Sequence, residues 1–288
     1  NHSLIVSLSL AKWFKNREVL IELSNKSDMS IIYEINPPRI SDNAEKLEIL
    51  HSRIKQVSDI CGGIHLTDSV LGIERISPII IATESKRKIP DLSVTISLRV
   101  IDKSLEQISN ITQASIEANL DGILVLMGDP SQDSNHNSGI FPSQAVQHLN
   151  DLEYNKKTKL FLSLPSNPSF KKISKKVNAK PNGFVTQVVH NIPQVQRITD
   201  YLLPKGFKII PCVLFPSDKN SKSAEFLNLD WSNYKDDLSN FITQIEKITG
   251  DVLLTSPNDF KGALEFLTRL QNWLKKLFHK HWKNEFYC

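Results

Sequence analysis

Residues 122–130 read Gly-Ile-Leu-Val-Leu-Met-Gly-Asp-Pro, five consecutive apolar residues bounded by Gly122 on one side and Gly128-Asp129-Pro130 on the other. A run this short between turn residues reads as a strand covered on both faces. The segment before it, 104–118, carries Leu105, Ile108, Ile111 and Ile116 at helical spacing. Before that comes another apolar run, 93–100. Strand, helix-length segment, strand is the signature of a βαβ unit with parallel strands.

The same alternation extends in both directions. Candidate strands are 30–35, 63–66, 93–100, 122–127, 160–164, 183–188, 208–213 and 251–254, rich in Ile, Val and Leu without clean polar alternation. Candidate helices are 41–57, 104–118, 193–203, 238–248 and 260–277. Eight parallel strands separated by helices predict an α/β chain folded as a single (β/α)₈ barrel. Met29 is the first methionine and directly precedes the first strand, so 1–28 reads as an N-terminal extension, disordered or outside the fold. The barrel is expected over 29–278, with 279–288 as a C-terminal tail.

Composition excludes several classes. A formal charge of +4 is too small to argue for nucleic acid. Cys61, Cys212 and Cys288 are far apart, form no CxxC or Cys/His cluster, and read as buried small hydrophobes or a tail residue in a reducing cytoplasm. No metal site and no membrane span are expected. With 10 glycines the chain has neither GxGxxG nor GxxxxGK[ST], which disfavours a Rossmann domain or P-loop. The polar run 130–138 reads as a solvated connector or a cofactor-covering loop. The lysine-rich stretch 171–180 reads as a solvated helix face with a phosphate role left open, and 270–288 as the final barrel helix with a frayed end.

In such a barrel, reactive groups collect at the C-terminal strand ends. The first strand ends Tyr33-Glu34-Ile35-Asn36-Pro37-Pro38-Arg39. Its prolines stop the strand, while Glu34 stays within it. A glutamate in an apolar strand either faces the barrel mouth or is paired, because burying it alone is costly. In the first case its pKa rises and it can act as a general acid; in the second it is a structural ion pair. Gly128 permits close backbone approach to a planar ligand and Asp129 offers a carboxylate, though Gly-Asp-Pro is also common turn chemistry.

Together, the stretches around Glu34 and Asp129 resemble the two signature segments of the methylenetetrahydrofolate reductase family. Further segments fall in the same order over about residues 30–270: Thr67-Asp68 with Gly72, Arg75 and Ser77-Pro78; Leu98-Arg99-Val100-Ile101-Asp102; Lys175-Lys176-Val177 with Val185-Thr186-Gln187; Ile209-Ile210-Pro211; and Leu254-Thr255. The resemblance implies a cytoplasmic flavoprotein of one-carbon metabolism and methionine biosynthesis. Such an oxidoreductase takes hydride from NAD(P)H through non-covalent FAD to 5,10-methylenetetrahydrofolate. It implies Glu34 as general acid, and Asp129 beside pterin and flavin, tuning both. Gln187 would bind the pterin, while Thr67, Asp68, Ser97, Met127, Gly128, Asp129, Phe141 and Lys176 would border the FAD.

Departures accompany the resemblance. Ser97 and Met127 stand where better-known bacterial members carry His and Arg, and Leu164-Pro165-Ser166-Asn167-Pro168 lacks the family's Tyr and His. They favour an alternative, a non-catalytic or partner-dependent flavin- or pterin-binding barrel, as a homo-oligomer or a subunit of a redox complex.

Overall fold

The computed structural model describes residues 29–70, 72–130 and 137–286. The expectations for 1–28, for most of the polar run 130–138 and for the last two residues lie outside them. Eight parallel strands close into a barrel in sequence order. They are β1 (Met29–Ile35), β2 (Cys61–Leu66), β3 (Val94–Arg99), β4 (Gly122–Leu126), β5 (Lys159–Leu164), β6 (Gly183–Val188), β7 (Lys208–Leu214) and β8 (Val252–Thr255). Their positions match the eight predicted strands within two residues. Closure comes from β1 lying beside β8, with Glu34 level with Thr255.

Around the strands run α1 (Ala44–Ser58), α2 (Pro78–Lys88), α3 (Leu105–Glu117), α4 (Pro142–Asp151), α5 (Ser174–Asn178), α6 (Ile192–Leu202), α7 (Ser221–Phe226), α8 (Leu238–Thr249) and α9 (Phe260–Phe286). Local chemistry sets their starts. Ser104 accepts from the Gln107 amide while the Gln107 side chain accepts from the Ser104 amide, closing a capping box on α3. Asn43, Asn191 and Asp237 cap α1, α6 and α8 in the same sense. The barrel unit spans Ser30–Thr268, and the described residues from Arg269 on fall in a second unit. The predicted boundary at 278 therefore lies inside α9, whose backbone is helical to Phe286.

Side chains alternate across each strand. Ile31, Tyr33, Ile64, Leu66, Ile96, Leu98, Ile123 and Val125 are fully buried, on the face opposite Glu34, His65, Ser97 and Leu124. Strand β3 does alternate cleanly, with Val94, Ile96 and Leu98 on one face and Thr95, Ser97 and Arg99 on the other, against the expectation of no clean polar alternation. The bore is divided. Leu124, Phe161, Val185, Ile210, Cys212 and Leu253 form one apolar cluster, joined by Ile32, Leu126 and Val188. Across β1–β3 the same layers carry Glu34, His65, Thr67, Thr95, Ser97 and Arg99.

The thiols of Cys61 and Cys212 are free and buried, as predicted. Burial pushes Cys61 up to about 12 and Cys212 well above the usual thiol range, so both stay protonated. Among the described residues no helix is long and apolar enough to cross a membrane.

Candidate functional site

A polar arc runs along the C-terminal rim from β8 to β4. It begins where Thr255 donates to Glu34 Oε1 at 2.7 Å. Glu34, near the end of β1, is half-buried as a residue, yet its carboxyl is enclosed by protein. Burial raises its pKa, and the Thr255 hydroxyl opposes that rise only in part. No salt bridge involving Glu34 occurs among the described residues, so the ion-pair reading finds no partner among them.

Next along the arc, Thr67 donates to Asn36 Oδ1 at 2.7 Å, and its amide donates to the Ile35 carbonyl at 3.1 Å. Asp68 accepts from the Ser69 amide at 2.6 Å and from the Arg99 amide at 3.1 Å, clamping the end of β2 to that of β3. Arg99 is buried; it donates from Nη2 to Asp102 at 2.5 Å and from Nη1 to the Asp129 carbonyl at 3.2 Å. Lys103 adds a contact of 3.0 Å to the other Asp102 oxygen. Burial pushes the Asp102 carboxyl up, but Lys103 and Arg99 together bring it below the ordinary value.

Below this arc lies a residue that the sequence reading missed. His65 is buried on β2, its Nδ1 2.9 Å from Thr95 Oγ1 and its Nε2 2.9 Å from Ser97 Oγ. Thr95 also donates to the Ile64 carbonyl at 3.4 Å. That pattern assigns the Nδ1–H tautomer, donating to Thr95 and accepting from Ser97. Burial lowers the His65 pKa to about 4, so the ring is neutral at physiological pH. The detectable signal was period two: Gly63, His65 and Thr67 share the inward face of β2 with its only ring nitrogens.

The other predicted site residues lie at the same end of the barrel, with differing surroundings. Asp129 is exposed just past β4, held through its backbone by Arg99. The Met127 carbonyl accepts from Ile101. Gly128 has φ +82°, a backbone that favours glycine. Gln187 is exposed at the end of β6, beside a register shift between Val185 and Val188. Phe141 is exposed at the start of α4, its amide donating to Gln144. Directly after it, Pro142 opens helix α4.

Lys176 Nζ donates to the Ser163 carbonyl at 2.5 Å, and burial lowers its pKa. Of the side chains expected at a flavin, Thr67, Asp68, Ser97 and Lys176 are thus already bonded inside the protein. Beneath Gly128, where a β-carbon would stand, lies the Arg99 stem. Among the described residues no group of three or more His, Cys, Asp or Glu side chains could hold a metal ion.

No family model matches the chain, and no curated protein does. Solved structures do. An uncharacterized protein from Clostridium thermocellum that binds two copies of 5-methyl-5,6,7,8-tetrahydrofolic acid superposes with a TM-score of 0.64 at 16% identity. The match covers 91% of this chain and 99% of that one. The GH18 chitinase ChiB from the chitin utilization locus of Flavobacterium johnsoniae superposes with a TM-score of 0.53 at 14% identity, over 86% of this chain and 95% of that one. At such identities the likeness is one of fold.

Proposed function

We propose that the barrel mouth binds a reduced folate, with Glu34 as its acid. The observation that carries this reading is Glu34 itself: a carboxyl at the C-terminal end of β1, paired with no cation among the described residues, held by Thr255 and biased by burial toward its neutral form. A neutral carboxyl can donate a hydrogen bond to a pterin nitrogen where a carboxylate cannot. The near full-length fold likeness to a barrel that binds 5-methyltetrahydrofolate supports the same ligand class. With a 5,10-methylene folate, proton donation from Glu34 to a bridging nitrogen would open the ring toward the reactive iminium. Asp129, exposed at the same rim, would favour that cation. Gln187, also exposed there, would hydrogen-bond the pterin.

The second reading is flavin-dependent reduction of 5,10-methylenetetrahydrofolate to the 5-methyl form, with FAD and NAD(P)H supplying the hydride. Glu34 and Asp129 at one rim favour it; the bonded state of Thr67, Asp68, Ser97 and Lys176 counts against it.

Calorimetric titration with 5-methyltetrahydrofolate tests the first reading. Saturable binding that weakens as pH rises through the Glu34 titration, and loses that pH dependence in Glu34→Gln, is the expected result. Absence of binding would overturn it. The visible spectrum after incubation with FAD tests the second: retained flavin, reoxidised by methylenetetrahydrofolate after reduction, supports it. A colourless protein that still binds folate removes the second reading alone.

A further inference from the structure

Residues 154–199 hold eight lysines and Arg197 but no Asp or Glu. The whole chain carries only +4, so the remainder is net negative and the cations are concentrated in one sector. That stretch builds β5, α5, β6 and the first half of α6. Elsewhere on the C-terminal rim two lysines are neutralised locally: Lys103 lies 3.0 Å from Asp102, and Lys219 lies 2.9 Å from Asp259. Within the basic sector only Lys156 has an ion pair among the described residues, with Glu153.

Position gives this charge a direction. In a closed ring of eight strands taken in order, β5 stands opposite β1, so the loop leaving β5 lies across the mouth from Glu34. The chain then turns at Ser169, whose carbonyl accepts from the Lys172 and Ile173 amides, and descends through α5. Lys171, Lys172 and Lys175 are exposed on the part of this descent nearest the rim. Lys176 is half-buried, and its bond to the Ser163 carbonyl ties the segment to the end of β5. Arg197 fastens the same loop through Asn167 and the Pro168 carbonyl, and stands 5.0 Å from the centre of the Phe170 ring. The three exposed lysines therefore project from an anchored segment, which lowers the ordering cost of a ligand contact.

We propose that Lys171, Lys172 and Lys175 form a subsite for the carboxylate tail of a folate bound at the mouth, so that a folate carrying several γ-linked glutamates is the preferred ligand. The inference rests on the folate reading. With its pterin at Glu34, an extended folate laid across the mouth brings its glutamate end over the rim at β5. Each added glutamate supplies one further carboxylate, and this flexible polyanion meets lysines that no acidic side chain has claimed. Ammonium groups on long stems suit such a tail, because they attract carboxylates without requiring one fixed geometry.

Calorimetric titration of the full chain with 5-methyltetrahydrofolate and with its pentaglutamyl form tests it. Exposed ion pairs are weak singly, so three together should make the pentaglutamyl form bind about tenfold tighter. That advantage should shrink as salt is raised. The triple variant Lys171→Gln, Lys172→Gln, Lys175→Gln should lose the advantage while binding the monoglutamyl form as the wild type does, which also shows that it is folded. Lys157→Gln with Lys159→Gln, at the opposite end of β5, should keep it. Equal affinity for the two forms would overturn the subsite and leave the folate reading standing, whereas absence of binding by either form would remove both. Equal loss in the Lys157 and Lys159 variant would reduce the effect to general charge and overturn the subsite. So would tighter binding of an oligothymidylate than of the pentaglutamyl folate.

Discussion

A β-carbon placed on Gly128 would stand 1.8 Å from Cγ of Arg99. The glycine and the arginine are therefore complementary: the missing side chain makes room for a buried stem, whose far end holds the Asp129 carbonyl. Gly128→Ala adds both a clash and an unfavourable backbone at φ +82°, and should destabilise the protein by roughly 2 kcal/mol or more. In urea unfolding, Arg99→Ala combined with Gly128→Ala should cost less than the sum of the two, by about 1 kcal/mol. Strict additivity would show that the stem does not occupy that space.

His65 should make the fold acid-sensitive. Its native pKa of about 4 lies below the ordinary imidazole value of 6.5, so between these values the unfolded chain binds the extra proton. Stability from this group is complete above pH 6.5 and drains away as pH falls toward 4, by roughly 3 kcal/mol in total. His65→Gln should flatten that limb of a pH-stability curve measured by chemical denaturation.

Glu34 acts in the opposite direction. Burial raises its native pKa above the ordinary carboxyl value of 4.5, so the native state holds the proton more tightly. Its contribution is full below pH 4.5 and lost as pH climbs through the raised native value. Relative to wild type, Glu34→Gln should therefore gain stability progressively from pH 5 upward. A wild-type to variant difference that does not change with pH would reject the raised pKa.

Thr255 sets part of that titration. Its hydroxyl lowers the Glu34 pKa against the effect of burial, so Thr255→Val should move the Glu34 midpoint higher still. Carbon-detected NMR of the Glu34 carboxyl reads this directly; a midpoint moving down would contradict the bond's role.

The Ser104 capping box gives a purely structural check. Ser104→Ala removes an acceptor for the Gln107 amide at 3.2 Å and should cost about 1 kcal/mol. Folate binding should be unaffected, since Ser104 only caps α3.

The barrel was legible because parallel strands covered on both faces must be apolar runs, and all eight stood out between helix-length segments. Helix α2 was harder to see. Its Ile79-Ile80-Ile81 mimics a strand, and only Pro78 at its first position marked it as a helix. The candidate site was legible where one residue suffices, as with Glu34. His65 and Arg99 needed register: each is defined by partners some 30 residues away, His65 with Ser97 and Arg99 with Asp68. Inward parity along Thr95, Ser97 and Arg99 was present in the sequence, but the bonds it allows follow only from which strands are neighbours. The bonded state of the expected flavin ligands likewise depends on neighbours that local sequence does not reveal.

A bore with hydroxyls, imidazole and carboxyl on one wall and hydrocarbon on the other has a consequence for orientation. A flat guest bearing heteroatoms on one edge meets unequal walls whichever way it is turned about the barrel axis. A folate bound at the mouth as proposed would favour the azimuth that sets its nitrogens toward Glu34, His65 and Ser97 and its carbon edge toward Leu126 and Val188. The unequal walls would then act as a compass for an asymmetric disc, giving it a heading before any single contact discriminates among ligands.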